Sequence, residues 1–144
     1  MRITLALVAV CGVVLVAPPA AGAKTWRGKT AQDRPVMVRT SGDGLVKRVR
    51  ISWRAKCRKG NYTSTTSFVP PFDASTTATF EDEGSYSVDL RRGLRARHTA
   101  FLSGSLDAKG VWRGTFRVRT RVTRNGRFVD SCRLKGERWS AKEG

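Results

Sequence analysis

The chain has 144 residues, and its 28 Lys and Arg residues outnumber its 11 Asp and Glu residues, which gives a formal net charge of +17 at pH 7. This length provides one domain with a modest core and leaves no room for a second domain of ordinary size. The single histidine and the lack of a C-x-x-C pair argue against a structural metal site. The sequence contains no P-loop, no dinucleotide-binding motif and neither of the hydrolase motifs G-x-S-x-G and H-E-x-x-H. The sequence therefore predicts no cofactor and no enzymatic activity.

The first 23 residues have the pattern of a secretory signal peptide. Arg2 supplies the positive charge of the N-terminal region, residues 3–16 form an apolar run, and Ala21-Gly22-Ala23 has the small residues of a cleavage site. The run is shorter than the roughly 20 residues of a membrane-spanning helix, so cleavage after Ala23 is favoured over an uncleaved anchor. We expect a single secreted or cell-envelope domain over residues 24–144, with no transmembrane segment after cleavage. Because only Arg2 of the 28 basic residues is removed, its formal charge would be about +16.

The rest of the chain shows the alternation that is typical of half-buried strands, and no helical periodicity. In chain order, short strands are predicted over residues 25–30, 36–40, 48–57, 62–69, 76–80, 85–91, 98–106, 111–123, 128–134 and 137–141. The acidic residues 81–83 before Gly84 are interpreted as a turn, and turn signals at residues 107–110 and at Asn125-Gly126 connect the last strands. Without a helix to cover a sheet face, this pattern predicts an all-β fold, an antiparallel meander that forms a β-sandwich or flattened β-barrel of about 8–10 strands.

The cysteines indicate a cross-link. Cys11 lies inside the predicted signal peptide, and a lipid-anchored Cys11 is the weaker interpretation because the apolar run continues past it. Cys57 and Cys132 remain, and an even number of cysteines in an oxidising compartment predicts a disulfide. The bond would close a loop of about 75 residues, for which the chain-entropy estimate of stabilisation is roughly 4 kcal/mol.

Basic residues alternate with apolar residues in two of the predicted strands. The outward faces supply the candidate polyanion-binding residues, which are Arg48, Arg50, Arg54 and Lys56 in one strand and Arg113, Arg117, Arg119 and Arg121 in the other. Residues two apart on one strand face are separated by roughly 6 to 7 Å, which is comparable with the spacing of charges along an extended polyanion. Arginine also pairs bidentately with phosphate and carboxylate. The alternative interpretation is a solvated face that keeps a small protein soluble.

Few other residues are candidates for catalysis or for nucleic-acid recognition. His98 shares a predicted strand face with Leu102, so we expect a hydrogen-bonded core histidine and not a general base. Sequence-specific nucleic-acid recognition is not expected, because Trp112 and Phe116 project away from the basic rows and only Phe101 is expected to be exposed.

The function that the sequence favours is therefore binding. We expect a monomer that binds acidic envelope or extracellular polymers, such as teichoic acid, acidic polysaccharide or lipid headgroups, without catalysis. One alternative is a protein-binding or inhibitor module that acts through the loop at residues 69–75. An enzyme with its site in a barrel mouth is the less favoured alternative.

Overall fold

The computed structural model describes residues 22–144, so the predicted signal peptide, residues 1–23, lies almost wholly outside the described residues. The described part of the chain contains a short 3-10 turn, Arg91–Gly93, and no helix with the length and apolar character needed to cross a membrane. Its strands are β1 (Lys24–Thr30), β2 (Pro35–Thr40), β3 (Val46–Cys57), β4 (Gly60–Phe68), β5 (Ala74–Ser75), β6 (Thr79–Asp89), β7 (Leu94–Leu106), β8 (Val111–Arg124) and β9 (Arg127–Glu143). The predicted all-β fold is confirmed.

All nine of these strands belong to one antiparallel sheet with the order β4-β3-β2-β1-β9-β8-β7-β6-β5. Most neighbours in the sheet are also neighbours in sequence, as expected for a meander. The last strand, β9, has two successive partners along one edge. Residues 139–143 pair with β1, whereas Cys132 and Arg133 pair with β3. Beyond the end of β1, the strand that lies beside β9 is therefore β3.

The turn between β1 and β2 fills the space where this change of partner occurs. The side-chain amide of Gln32 donates to the carbonyl oxygen of Arg54 at 2.9 Å and accepts the Arg54 N–H at 3.1 Å. The backbone N–H of Gln32 donates to the buried carboxylate of Glu137 at 2.6 Å. One turn residue thus links β3 to β9 and satisfies polar groups that the interrupted ladder leaves free.

The core lies between the inward faces of the two halves of the sheet. Trp53 of β3 packs against Phe116 of β8 with ring centroids 6.0 Å apart, and Trp26 meets Trp112 edge to face at 6.3 Å. Trp53, Trp112 and Phe116 are all fully buried. The apolar faces predicted from alternation in β3 and β8 are thereby confirmed, and the arginines of both strands point to the outer surface.

Two predicted breaks between strands are wrong, and residues 76–78, predicted to begin a strand, lie between β5 and β6 instead. The acidic residues 81–83 are not a turn but lie within β6, which pairs with β7 without interruption from Thr79 to Asp89. The long partner strand determines the structure here, since Gly84 has an ordinary negative-φ strand conformation and the acidic side chains remain near solvent. Residues 128–134 and 137–141 form one strand, β9, whose pairing with β8 shifts register around Lys135 and Gly136.

Candidate polyanion-binding site

A disulfide between Cys57 and Cys132 connects β3 to β9 and confirms the predicted pairing. The two residues lie directly opposite each other in the sheet, with their Cα atoms 3.9 Å apart. The turn after β3 is held by Asp130, whose carboxylate accepts the backbone N–H groups of Arg58 and Lys59 at 3.2 and 3.3 Å. A disulfide is compatible with an oxidising compartment. Its structural effect is to fix the end of β3 beside β9.

This junction aligns cationic side chains across several strands. Lys56 of β3 pairs with Arg133 of β9, and Arg133 pairs in turn with Arg119 of β8. Adjacent strands lie about 4.8 Å apart, so the three residues form a continuous transverse row. One step along β8, Arg121 pairs with Arg97 of β7. The outward faces of four strands therefore contribute positive charge to one region.

These side chains line an open groove of about 640 Å³ on the outer surface, here called the basic groove. None of the described residues that line it is acidic, and seven are basic: Lys56, Arg58, Arg97, Arg119, Arg121, Arg133 and Lys135. All seven are exposed. Within residues 22–144, no carboxylate lies within 4.0 Å of their cationic nitrogen atoms. The groove thus concentrates positive charges, and none of them forms an ion pair with a described carboxylate.

Three of the eight predicted polyanion-binding residues, Lys56, Arg119 and Arg121, line this groove. Arg48 and Arg50 lie elsewhere, because their part of β3 pairs with β2 and not with β9. Arg50 is six residues from Lys56 along an extended strand, roughly 20 Å away. Arg54 is exposed on the same strand face as Lys56 but does not line the groove. The two predicted rows therefore meet only at one end of β3.

The other two predicted residues of β8 have acidic neighbours. The guanidinium of Arg113 donates to Asp107 at 3.0 Å. The N–H of Val111 and this guanidinium both hold the pKa of the Asp107 carboxyl below its ordinary value, the backbone hydrogen bond being the larger cause. Arg117 lies 4.0 Å from a carboxylate oxygen of Glu83. Arg113 and Arg117 therefore lie beside carboxylates and do not extend the unpaired positive charge of the basic groove.

Four basic residues of the groove were missed by the sequence reasoning: Arg58, Arg97, Arg133 and Lys135. Arg97 and Arg133 each alternate with buried residues in their strands, so a signal for outward placement was present. What the alternation does not reveal is strand order, and strand order brings β7 and β9 against β8. Arg58 and Lys135 lie in a turn and at a register shift, where alternation gives no direction.

His98 lies in the core, as expected, and is fully buried. Its Nδ1 is 2.8 Å from the hydroxyl of Thr120, its Nε2 is 3.4 Å from the hydroxyl of Tyr62, and the ring of Tyr86 packs against it at 4.7 Å. Burial lowers the pKa of the imidazole because charging it would require desolvation. These contacts account for a neutral, hydrogen-bonded structural residue.

The predicted loop at residues 69–75, whose last two residues form β5, exposes one large apolar side chain. Val69 is 49% exposed. Phe72 is half-buried and packs against Phe80 at 5.7 Å between ring centroids. The loop is therefore anchored to the core next to its exposed apolar residue.

Comparison of the chain with protein-family models, with curated proteins and with solved structures finds no match. The functional argument therefore depends on the residues and geometry of the molecule itself.

Proposed function

We propose that this protein binds acidic polymers of the cell envelope or the extracellular space through the basic groove, without catalysing a reaction. The observation that carries this proposal is the convergence of seven exposed cationic side chains from four strands and one turn, with no acidic residue among the described residues that line the groove. A chain with excess positive charge can scatter that charge over its surface. Here seven of the 27 Lys and Arg residues at positions 24–144 line one groove.

The energetic basis is the release of counterions and the relief of repulsion. Seven like charges in one groove repel each other and attract mobile anions from solution. A polymer with regularly spaced negative groups displaces those ions, and the gain in entropy favours the complex. The arginine side chains add geometric selectivity, since each planar guanidinium can donate two parallel hydrogen bonds to a phosphate, sulfate or carboxylate group.

The chemistry common to the proposed ligands is a flexible chain with repeated anionic groups. Cationic positions in the groove are spaced by about 4.8 Å across strands and roughly 7 Å along β8. A flexible polyanion can adjust its charges to such a grid, whereas a single small anion would contact one or two side chains only. Affinity is therefore expected to rise with the length of the polymer until the groove is filled.

The proposal is tested by the salt dependence of binding to heparin and to poly(glycerol phosphate). The logarithm of the affinity should fall linearly with the logarithm of salt concentration, with a slope that reflects the number of charges engaged. In the double variant Arg119→Gln/Arg133→Gln the magnitude of that slope should fall by about 1.5. Recognition through the loop at residues 69–75 would instead give little dependence on salt.

The matched control is Arg48→Gln/Arg50→Gln, which removes the same charge from the distant part of β3. We expect its slope and affinity to stay close to those of the unmodified protein. Equal losses in the two double variants would show that only net charge matters and would contradict the proposal. Failure of the unmodified protein to bind either polymer at low salt would also contradict it.

A further inference from the structure

The basic groove contains an exposed aromatic ring that acidic polymers without flat groups would not use. Phe128 lines the groove and is 43% exposed. The guanidinium of Arg121 lies over this ring, 5.0 Å from its centroid. Val69 and Phe128 are the large apolar residues that the described part of the chain leaves exposed, and only Phe128 is surrounded by cationic side chains.

A second ring lies at the other end of the same cationic surface. Phe101, which the sequence predicted to be exposed, is half-buried; it borders a depression of about 350 Å³ next to the basic groove, and Arg117 lies over its ring at 4.2 Å. The depression and the groove share Arg119, Arg133 and Lys135 as lining residues. They therefore form one continuous surface with an aromatic ring near each end and cationic side chains between them, and Glu83, which also lines the depression, is level with Phe101.

The register of the sheet gives the direction and length of this surface. Phe101 is level with Arg117 of β8, and Phe128 is level with Thr123. Six residues of extended strand separate these levels, about 20 Å. A ligand that spans both rings would run nearly parallel to β8 and pass over Arg119 and Arg121. This distance suits a short stretch of an extended chain.

The combination of a cationic track with one exposed and one half-buried aromatic ring favours one kind of polyanion. Proteins that bind single-stranded nucleic acid without sequence preference combine a positive groove, which follows the backbone, with aromatic side chains on which bases stack. Poly(glycerol phosphate) has no flat group and gains nothing from the rings. Duplex nucleic acid buries its base faces and likewise offers the rings little. The guanidinium of Arg121, which lies over the Phe128 ring, retains its in-plane N–H donors for a phosphate, whereas Arg117 lies beside the Glu83 carboxylate.

We propose that the basic groove binds single-stranded nucleic acid, with phosphates over Arg119, Arg121 and Arg133 and with bases stacked at Phe128 and Phe101. This inference rests on the proposed function and specifies its ligand. Recognition is independent of sequence, because every base has a face that can stack and the cationic side chains contact only the backbone.

The test compares an oligothymidylate of twelve nucleotides with an abasic oligomer that has the same number of phosphates. The unmodified protein should bind the base-bearing strand at least tenfold more tightly than the abasic strand, and more tightly than a duplex of the same length. Phe128→Ala should weaken binding of the oligothymidylate about tenfold and leave binding of the abasic oligomer unchanged. Phe128→Leu, which retains apolar bulk without an aromatic face, should show the same selective loss.

Val69→Ala is the matched control, since it removes the other exposed apolar side chain and lies outside the groove. It should leave the affinities for both oligomers unchanged. Equal affinity for base-bearing and abasic strands, or tighter binding of heparin than of oligothymidylate at the same salt concentration, would overturn the inference while the proposed function still held. Absence of binding to every polymer at low salt would overturn both.

Discussion

Replacing Gly114 with alanine should destabilise the fold strongly, because this position has no room for a methyl group. Gly114 of β8 lies between Gly104 of β7 and Trp139 of β9. A Cβ atom at residue 114 would collide with the carbonyl oxygen of Ser103 and would lie 2.6 Å from the ring of Trp139. The carbonyl oxygen is part of the backbone and cannot rotate away, and the Trp139 ring is itself buried and stacked on Phe80.

The expected cost of Gly114→Ala is about 3 kcal/mol, the upper part of the usual range for overpacking, since two strands must separate to relieve the collision. A loss of that size corresponds to a fall in Tm of about 10 °C for a domain of this length. Urea unfolding followed by tryptophan fluorescence would measure it directly.

Gly84→Ala is the matched control for this experiment. Gly84 also lies within a strand, but nothing occupies the space within 4 Å of its Cβ position, and its φ is not positive. Alanine there should change the free energy of unfolding by less than about 1 kcal/mol, with a stabilising sign favoured because the unfolded chain loses freedom. If the two variants differed by less than 1 kcal/mol, the description of close packing between β7, β8 and β9 would be wrong.

Two further predictions concern stability. The double variant Cys57→Ala/Cys132→Ala should lose about 4 kcal/mol of unfolding free energy in urea titrations without reductant, because the bond closes a loop with a sequence separation of 75 residues; a loss below 1 kcal/mol would refute the loop-closure argument. Burial lowers the pKa of the His98 imidazole in the folded protein below its ordinary value of 6.5, so as the pH falls this residue binds a proton in the unfolded chain before it does so in the folded protein. The urea concentration at the unfolding midpoint should therefore decrease as the pH is lowered from 7.5 to 5.5, and it should decrease less in His98→Gln. A midpoint of the unmodified protein that does not change with pH would contradict the description of His98 as a buried, neutral residue.

The sequence was most informative where apolar and charged residues alternate strictly. In β3 and β8, the alternation predicted both the buried tryptophans and the outward arginines, because a one-residue error of register would expose an entire apolar face. The predicted bond between Cys57 and Cys132 brings the end of β3 close to β9. The pairing of the two strands there, with Lys56 opposite Arg133, does not follow from the bond, because a disulfide can also join facing sheets.

The remaining features depend on tertiary pairing that local patterns do not contain. The acidic residues 81–83 have the composition of a turn, but the partner strand β7 continues past them and keeps β6 extended. Phe128 follows a hairpin turn, and its exposure depends on a register shift between Val122 and Thr123 of β8. A shift of this kind reverses the side of the sheet to which later residues point, so alternation along β9 alone could not show that an aromatic ring enters the groove.

We propose that acidic polymers bind at the junction of β3, β9 and β8. Mapping amide chemical shifts during titration with inorganic polyphosphate of defined length would locate the binding surface residue by residue. The largest changes should occur at Arg119, Arg121 and Arg133, with small changes at Arg48 and Arg50 on the distant part of β3. Changes centred on Arg48 and Arg50, or spread evenly over the molecule, would contradict the account.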